Sequence, residues 1–328
     1  MKRELEFHDV TCGDMFEYGG LLAGPWELEY RQLSPGKVSA GNRGVRIGSS
    51  IAYEESFDQS VSVLGALGPE LVGFSFPNRL AETRGRWWGH DHPGSAISFA
   101  NANGEIDVTF PGGYRNILVL IEKQAFLRQY RNYSGQDAHF LNSKSHHLSI
   151  HPDLLQNCTD TLYDLISKRR TLLYGKDPIA QLIVRTLVDG MPRTRNEAAV
   201  HLPYSKTRVI RKAIQTWEEA DFKISMEEIS HDVGVCQRTL EHIFREHMNI
   251  TPYQYLKRSR LGMARDALRK AEPTLSTVTE IATRFGFYEL GRFSVDYRKF
   301  FGESPSATLS TAIELESKQL FKDEENSD

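Results

Sequence analysis

From residue 26 to 121 the chain alternates apolar and polar side chains in short runs, among them WELEYRQL, SVSVLGAL, LVGFSF, AISFA, EIDVTF and NILVLI. Gly, Pro and Asn break the runs at intervals of roughly 8 to 15 residues. A period of two with turn residues between the runs predicts an antiparallel sandwich or barrel. After residue 121 the period changes. Residues 123–130, 152–170 and 177–188 carry apolar side chains at helical spacing, for example Leu154, Leu155, Leu162, Leu165 and Ile166, and predict two or three helices behind the sheet. Residues 190–205, GMPRTRNEAAVHLPYS, have two prolines and little periodicity, which marks a linker.

Beyond residue 205 the pattern is helical with short breaks. Ser225 followed three residues later by Glu228 reads as a capping box. That helix stops at Val233-Gly234-Val235, and a second begins near Cys236 with Leu240, Ile243 and Phe244 on its inner face. A short helix, a glycine corner and a second amphipathic helix predict a helix-turn-helix. Thr251-Pro252 opens a long helix with an apolar stripe through Tyr253, Leu256, Leu261, Ala264 and Leu268. The motif then recurs: a short helix before Gly286, and a second from Glu289 to Phe301 with Phe293, Tyr297 and Phe300 inward. A linking helix of about 18 residues spans about 27 Å. That length suits two recognition helices in successive major grooves, about 34 Å apart on one face of a duplex.

Composition then sets limits. The chain has 328 residues, 40% hydrophobic and 25% charged, with a formal net charge of −3. That is a soluble globular composition with material for about two domains. A balance of −3 speaks against nucleic acid when taken alone, but it is uneven. Residues 205–310 hold 17 Lys and Arg against 14 Asp and Glu, while residues 311–328 hold 2 against 6. The case for DNA therefore rests on the repeated motif and not on bulk charge. Cys12, Cys158 and Cys236 lie far apart, which suggests neither disulfides nor a thiolate metal site. The N-terminus MKRELEFHDV has no apolar signal region and no run reaches the length of a membrane span, so a cytoplasmic protein is expected.

The second motif, VTEIATRFGFYELGRFSVDYRKFFGESPSATL at residues 278–309, resembles the AraC/XylS family of bacterial transcription regulators. Its Ala-x-x-x-Gly-Phe corner, Phe-x-x-x-Tyr spacing and Gly-x-x-Pro-Ser ending carry the likeness. The first motif and the Arg-Leu-x-x-Ala of the linking helix are similar to it too. Within the family, LGRF…DY…GE.PS.TL and RQLSPGK at residues 31–37 resemble the ethanolamine-utilisation activator branch. The resemblance implies an α+β protein: a cupin-like antiparallel β-barrel with helices at residues 1–190 for effector sensing and dimerisation, a linker at 191–204, an all-α DNA-binding domain with two helix-turn-helix units at 205–310, and an acidic tail at 311–328. It implies double-stranded DNA at a promoter or operator, RNA polymerase and a second copy of the chain as partners, and an activator more often than a repressor. No cofactor and no catalysis are expected.

By motif position the first recognition helix presents Gln237, Arg238, Glu241 and His242, and the second Glu289, Gly291, Arg292 and Val295. Arg238 and Arg292 are the base readers expected from the commonness of bidentate Arg–guanine contacts. Thr251, Lys257, Arg258, Arg298 and Lys299 are expected at phosphates.

The N-terminal half raises two further questions. His90-Asp91-His92 is a His-x-His, which on a strand puts both rings on one face as in metal-binding cupins. Ala96 and Ile97 stand where such cupins carry Glu, and Pro93-Gly94 reads as a turn, so no metal is expected. The stretch 30–53 holds Arg31, Lys37, Arg43 and Arg46 and no acid. With Tyr30 and Trp88 as stacking surface, it would suit a small anionic effector or a cyclic nucleotide messenger. The alternatives are a metal-dependent cupin enzyme fused to a DNA-binding domain, and an effector-blind dimeric repressor.

Overall fold

The structure, a computed structural model, describes residues 5–21, 26–77, 85–87, 90–92, 96–100, 105–142, 146–168, 175–192, 205–272 and 275–310. The sequence reading of the linker at 193–204, of Trp88 and of the acidic tail lies outside the described residues. The chain divides into two compact units, one of residues 1–30 and 39–204, the other of residues 31–38 and 205–328.

The first unit contains β1 (Leu5–Cys12), α1 (Met15–Leu21), β2 (Trp26–Gln32), β3 (Ala40–Ile47), β4 (Ser50–Phe57), β5 (Val61–Leu67), β6 (Leu71–Pro77), β7 (Arg86–Trp87), β8 (His90–Asp91), β9 (Ala96–Phe99), β10 (Glu105–Phe110) and β11 (Tyr114–Glu122), then α2 (Lys123–Ser134), β12 (His147–Ser149), α3 (Pro152–Ile166) and α4 (Pro178–Gly190). The strands form two sheets, in the orders β1-β3-β4-β11-β6-β9-β12 and β2-β5-β10-β7-β8. The ladders β1–β3, β3–β4, β4–β11, β6–β11, β6–β9, β9–β12, β5–β10, β7–β10 and β7–β8 are antiparallel, as the period of two predicts, but among the described residues the two sheets are not joined into one closed barrel.

The larger sheet buries both of its faces. Val45, Ala52, Ile117, Val119 and Ile121 pack with Phe126, Leu162, Ile183 and Leu187 of the helices in one core. The residues between them, Tyr53, Leu118 and Leu120, turn to the other face, where they pack with Leu67 of the smaller sheet. Asp177 ties a helix to this sheet: its Oδ1 caps α4 through Ala180 N at 3.0 Å, and its Oδ2 accepts from Ser49 Oγ and Ser50 Oγ at the β3–β4 turn. Gly44 is required by a close approach. A Cβ there would stand 2.6 Å from Tyr53 Cβ and 2.7 Å from the Ala52 carbonyl.

The second unit is helical: α5 (Ser205–Glu219), α6 (Met226–Val233), α7 (Gln237–Met248), α8 (Pro252–Lys270), α9 (Val278–Arg284) and α10 (Leu290–Phe301), with residues 305–310 helical again. The predicted capping box forms, with Glu228 N donating to Ser225 Oγ and Ser225 N to Glu228 Oε2. Thr251–Gln254 and Thr277–Glu280 repeat it at α8 and α9. Gly234, at φ +74°, makes the corner between α6 and α7, a conformation that costs a side-chain-bearing residue free energy. In the first half Trp217 is fully buried, its ring centroid 5.7 Å from Phe244 and 6.1 Å from Tyr255. In the second half Phe293, Tyr297, Phe300 and Phe301 close over Leu261, Ala264 and Leu268.

Residues 31–38 complete this unit. Arg31 pairs with Glu218 at 2.8 Å and lies over the rings of Phe222 and Tyr255. Gly36 N donates to the Phe300 carbonyl at 2.9 Å, Gln32 Nε2 to the same oxygen at 3.3 Å, and Arg258 to the Leu33 carbonyl. The segment thus covers carbonyls and ring faces that α5, α8 and α10 leave open.

Candidate nucleic-acid interface and interior cavity

Two surfaces of the helical unit follow from its turns. α7 begins directly after the α6 corner, so Gln237 and Arg238 stand exposed in its first turn, with His242 one turn on. α10 begins in the same way, with Glu289 at its N-cap and Arg292 70% exposed. The nearest acids to Arg292, Glu289 and Asp296, stand 3.9 and 4.0 Å away, which leaves its guanidinium loosely held. Arg298 and Lys299 are exposed in the last turn of α10. α8, with 19 residues, holds the two motifs about 28 Å apart along its axis. Beside α8 lies a cleft of about 210 Å³ lined by Tyr253, Lys257, Arg260, Tyr288, Arg292 and Asp296.

Three of the residues expected at phosphates have other engagements. Thr251 Oγ1 accepts from Gln254 N at 3.1 Å as the cap of α8. Lys257 Nζ lies 2.6 Å from Asp296 Oδ2, so its charge is largely offset by a neighbouring acid. Arg258 is half-buried, holds Leu33 and lies over the Phe300 ring, and burial lowers its pKa.

The basic strip of the first half is divided between the two units. Arg31 and Lys37 sit in the segment that packs with the helical unit. Arg43 and Arg46 are an odd number of residues apart on β3 and so project from opposite faces. Arg43 pairs with Glu54 at 2.6 Å and lies over Tyr163, whereas Arg46 pairs with Glu6 at 3.7 Å across the β1–β3 ladder. Of the expected effector residues, Tyr30 alone lines an interior cavity among the described residues. His92 is buried, its ring 5.4 Å from that of His147. Among the described residues no group of three His, Cys, Asp or Glu could hold a metal ion, and no helix is long and apolar enough to cross a membrane.

The cavity, about 40 Å³, lies between the two sheets. β4 reads IAYEESF, and its alternation sends Glu54 to Arg43 and Glu55 to the opposite, interior face. Glu55 is 2% exposed. Its Oε1 accepts from Tyr18 Oη at 2.8 Å and Tyr30 Oη at 2.9 Å, and Asn42 Nδ2 steadies the first hydroxyl at 3.2 Å. Burial pushes its pKa up to about 7, against the pull of the two hydroxyl donors. The same burial raises Tyr18, Tyr30 and Tyr53 well above the usual phenol range. Two adjacent acids in an apolar alternating strand were the sequence signal for this site.

A pH effect follows. In the unfolded chain Glu55 ionises near its ordinary value, whereas the folded chain holds the proton up to about 7. Between those values only the unfolded state has released it, so stability is greatest at acid pH and falls as pH rises to about 7. The loss is on the order of 3 kcal/mol. Glu55→Gln is expected to remove most of that slope in urea titrations at pH 5 and pH 8. A slope unchanged in the variant would assign the titration elsewhere.

Against this geometry, residues 229–311 match the family described as "Helix-turn-helix domain". The chain is 38% identical over 104 residues to the "Probable thc operon regulatory protein" of Rhodococcus erythropolis, covering 31% of each chain. It is 36% identical over 93 residues to the "XylDLEGF operon transcriptional activator 2" of Pseudomonas putida, covering 28% of this chain and 59% of that one. The chain thus spans less than two thirds of the length of these curated relatives. The AraC-type DNA-binding domain protein from Chromobacterium violaceum, a solved structure, is 24% identical over 34% of this chain and 96% of its own, with a TM-score of 0.31. The C-terminal part of the chain carries a helix-turn-helix domain. The chain is similar over part of its length to regulators of named operons.

Proposed function

We propose that the chain is a DNA-binding transcription regulator that reads a bipartite site with α7 and α10. The observation that carries this reading is the repeat of one device: a capped short helix, a tight corner and an exposed arginine in the opening turn of the next helix, twice, on a common spacer. Arg238 and Arg292 read bases, and Gln237, His242, Glu289, Arg298 and Lys299 border them. The half-site separation is one helical turn. The names of the two relatives, an operon regulatory protein and a transcriptional activator, support regulation, and in this reading the chain activates transcription through RNA polymerase. In this reading the protein works in the cytoplasm, as a homodimer, without catalysis. The N-terminal unit senses a small molecule in the cavity between its sheets.

In vitro selection of random duplexes by the full chain is expected to enrich two short boxes about 10 base pairs apart, centre to centre. A pool that never departs from the unselected composition would overturn the reading.

A further inference from the structure

Asp296 lies in the middle of α10, the helix assigned to DNA, where a carboxylate meets phosphate charge with repulsion. Its surroundings give it a task. Phe293 and Tyr297 point into the core, so Arg292 and Asp296, each one residue before them, share the flank of α10 that lines the cleft beside α8. Four residues apart, they are neighbours on one helix face. The guanidinium atom nearest to the carboxylate is Nε, 4.0 Å from Oδ2. The same Oδ2 stands 2.6 Å from Lys257 Nζ of α8. The three groups form a chain from the spacer helix to the outer surface, with Lys257 28% exposed, Asp296 25% and Arg292 70%.

That chain is not needed to join the helices. Phe293, Tyr297 and Phe300 already pack on Leu261, Ala264 and Leu268, and an ion pair open to water adds little to such a core. Its effect is to fix a charge. A carboxylate free on a helix surface samples its rotamers, whereas contact with Lys257 holds this one in place. An acceptor fixed beside Nε leaves the Nη1 and Nη2 edge of the guanidinium turned away from it, and two N–H donors on that edge match the O6 and N7 acceptors of a guanine. An arginine without such a support must give up more rotamer freedom to reach the same pose.

We infer that Asp296 is the positioning residue for guanine reading by Arg292, and that Lys257 acts on DNA only through Asp296, as its anchor. The inference rests on the reading of α10 as a DNA-recognition helix. It replaces the phosphate contact that the sequence suggests for Lys257 with a part in specificity.

Fluorescence anisotropy of the full chain on the selected and on a scrambled duplex tests it, the readout being the ratio of the two Kd values. Asp296→Asn keeps the shape and removes the charge, and is expected to lower the preference for the selected duplex about 5- to 10-fold, no more than Arg292→Ala does. In an Arg292→Ala background the same change is expected to lower it by less than about twofold, since no guanidinium is left to position. Lys257→Met, which keeps the length of the side chain, is expected to lower the preference about 2- to 5-fold and to leave the salt dependence of scrambled-duplex binding at its wild-type slope; loss of a phosphate contact would make that slope shallower by about 0.9. Thermal unfolding of each variant identifies a folding defect, which weakens binding to both duplexes together and leaves their ratio alone. An unchanged ratio in Asp296→Asn, an equal fall with and without Arg292, or a shallower salt slope in Lys257→Met would each overturn the inference. A wild-type chain that binds both duplexes alike would discard the DNA reading and the positioning role with it, whereas a wild-type preference that survives Asp296→Asn discards the positioning role alone.

Discussion

Trp217→Ala is expected to destabilise the helical unit by about 3 to 5 kcal/mol. Trp217 is fully buried and carries α5 onto α7 and α8 through Phe244 and Tyr255. Those two rings also meet edge-on at a centroid distance of 5.7 Å, so the three form one packed cluster, and truncation leaves a void on two helices at once. Against a typical domain stability of about 5 to 15 kcal/mol, that loss removes a fifth or more. Urea unfolding followed by helical circular dichroism measures it. Trp217→Phe is the control: the indole Nε1 is buried without a hydrogen-bond partner among the described residues, so the phenyl ring keeps most of the packing and forfeits no hydrogen bond. It is expected to cost under about 1.5 kcal/mol. A Trp217→Ala shift below about 1 kcal/mol would show that the cluster does not hold the unit together.

Arg292→Ala is expected to weaken binding to the selected duplex about 10- to 100-fold, or about 1 to 3 kcal/mol, and to leave binding to scrambled duplex nearly unchanged. The residue is exposed, stands in the first turn of α10 and is only loosely held by Glu289 and Asp296. Folding therefore does not depend on it, and thermal unfolding of the variant should match that of the wild type. Arg292→Lys should recover little, because an ammonium lacks the planar fork that meets two acceptors of a guanine at once. Fluorescence anisotropy on both duplexes separates the cases. Equal losses on the two would place Arg292 on the phosphate backbone.

The helical unit was largely legible from sequence because its signals are local. Ser225 and Glu228, Gly234, Thr251-Pro252 and Gly286 each set a helix end through neighbours within a few residues, and the 3.6-residue stripe placed Leu240, Phe244, Phe293 and Tyr297 inward. The sheets were legible as strands but not as a topology, since pairing β4 with β11 or β6 with β9 joins residues far apart in the chain. The same non-locality hid the interior site. That Glu55 faces the interior cavity while Glu54 meets arginines follows from which face of β4 looks at the second sheet, and single-strand alternation is symmetric between those choices. The strip Arg31, Lys37, Arg43 and Arg46 looked continuous in one dimension; the odd spacing on β3 divides one pair, and the other pair leaves with a segment that packs on helices.

That segment also bears on how the protein can be taken apart. The DNA-binding half is not a contiguous stretch of the gene: residues 31–38 are spliced into it from the midst of the β-sheet half, and they cover the Phe300 carbonyl, Phe222 and Tyr255. A graft of residues 205–310 onto a foreign sensor would transplant a domain with an open seam. A transferable module has to bring its own eight-residue patch, and domain exchange among such chains works only where both pieces travel together.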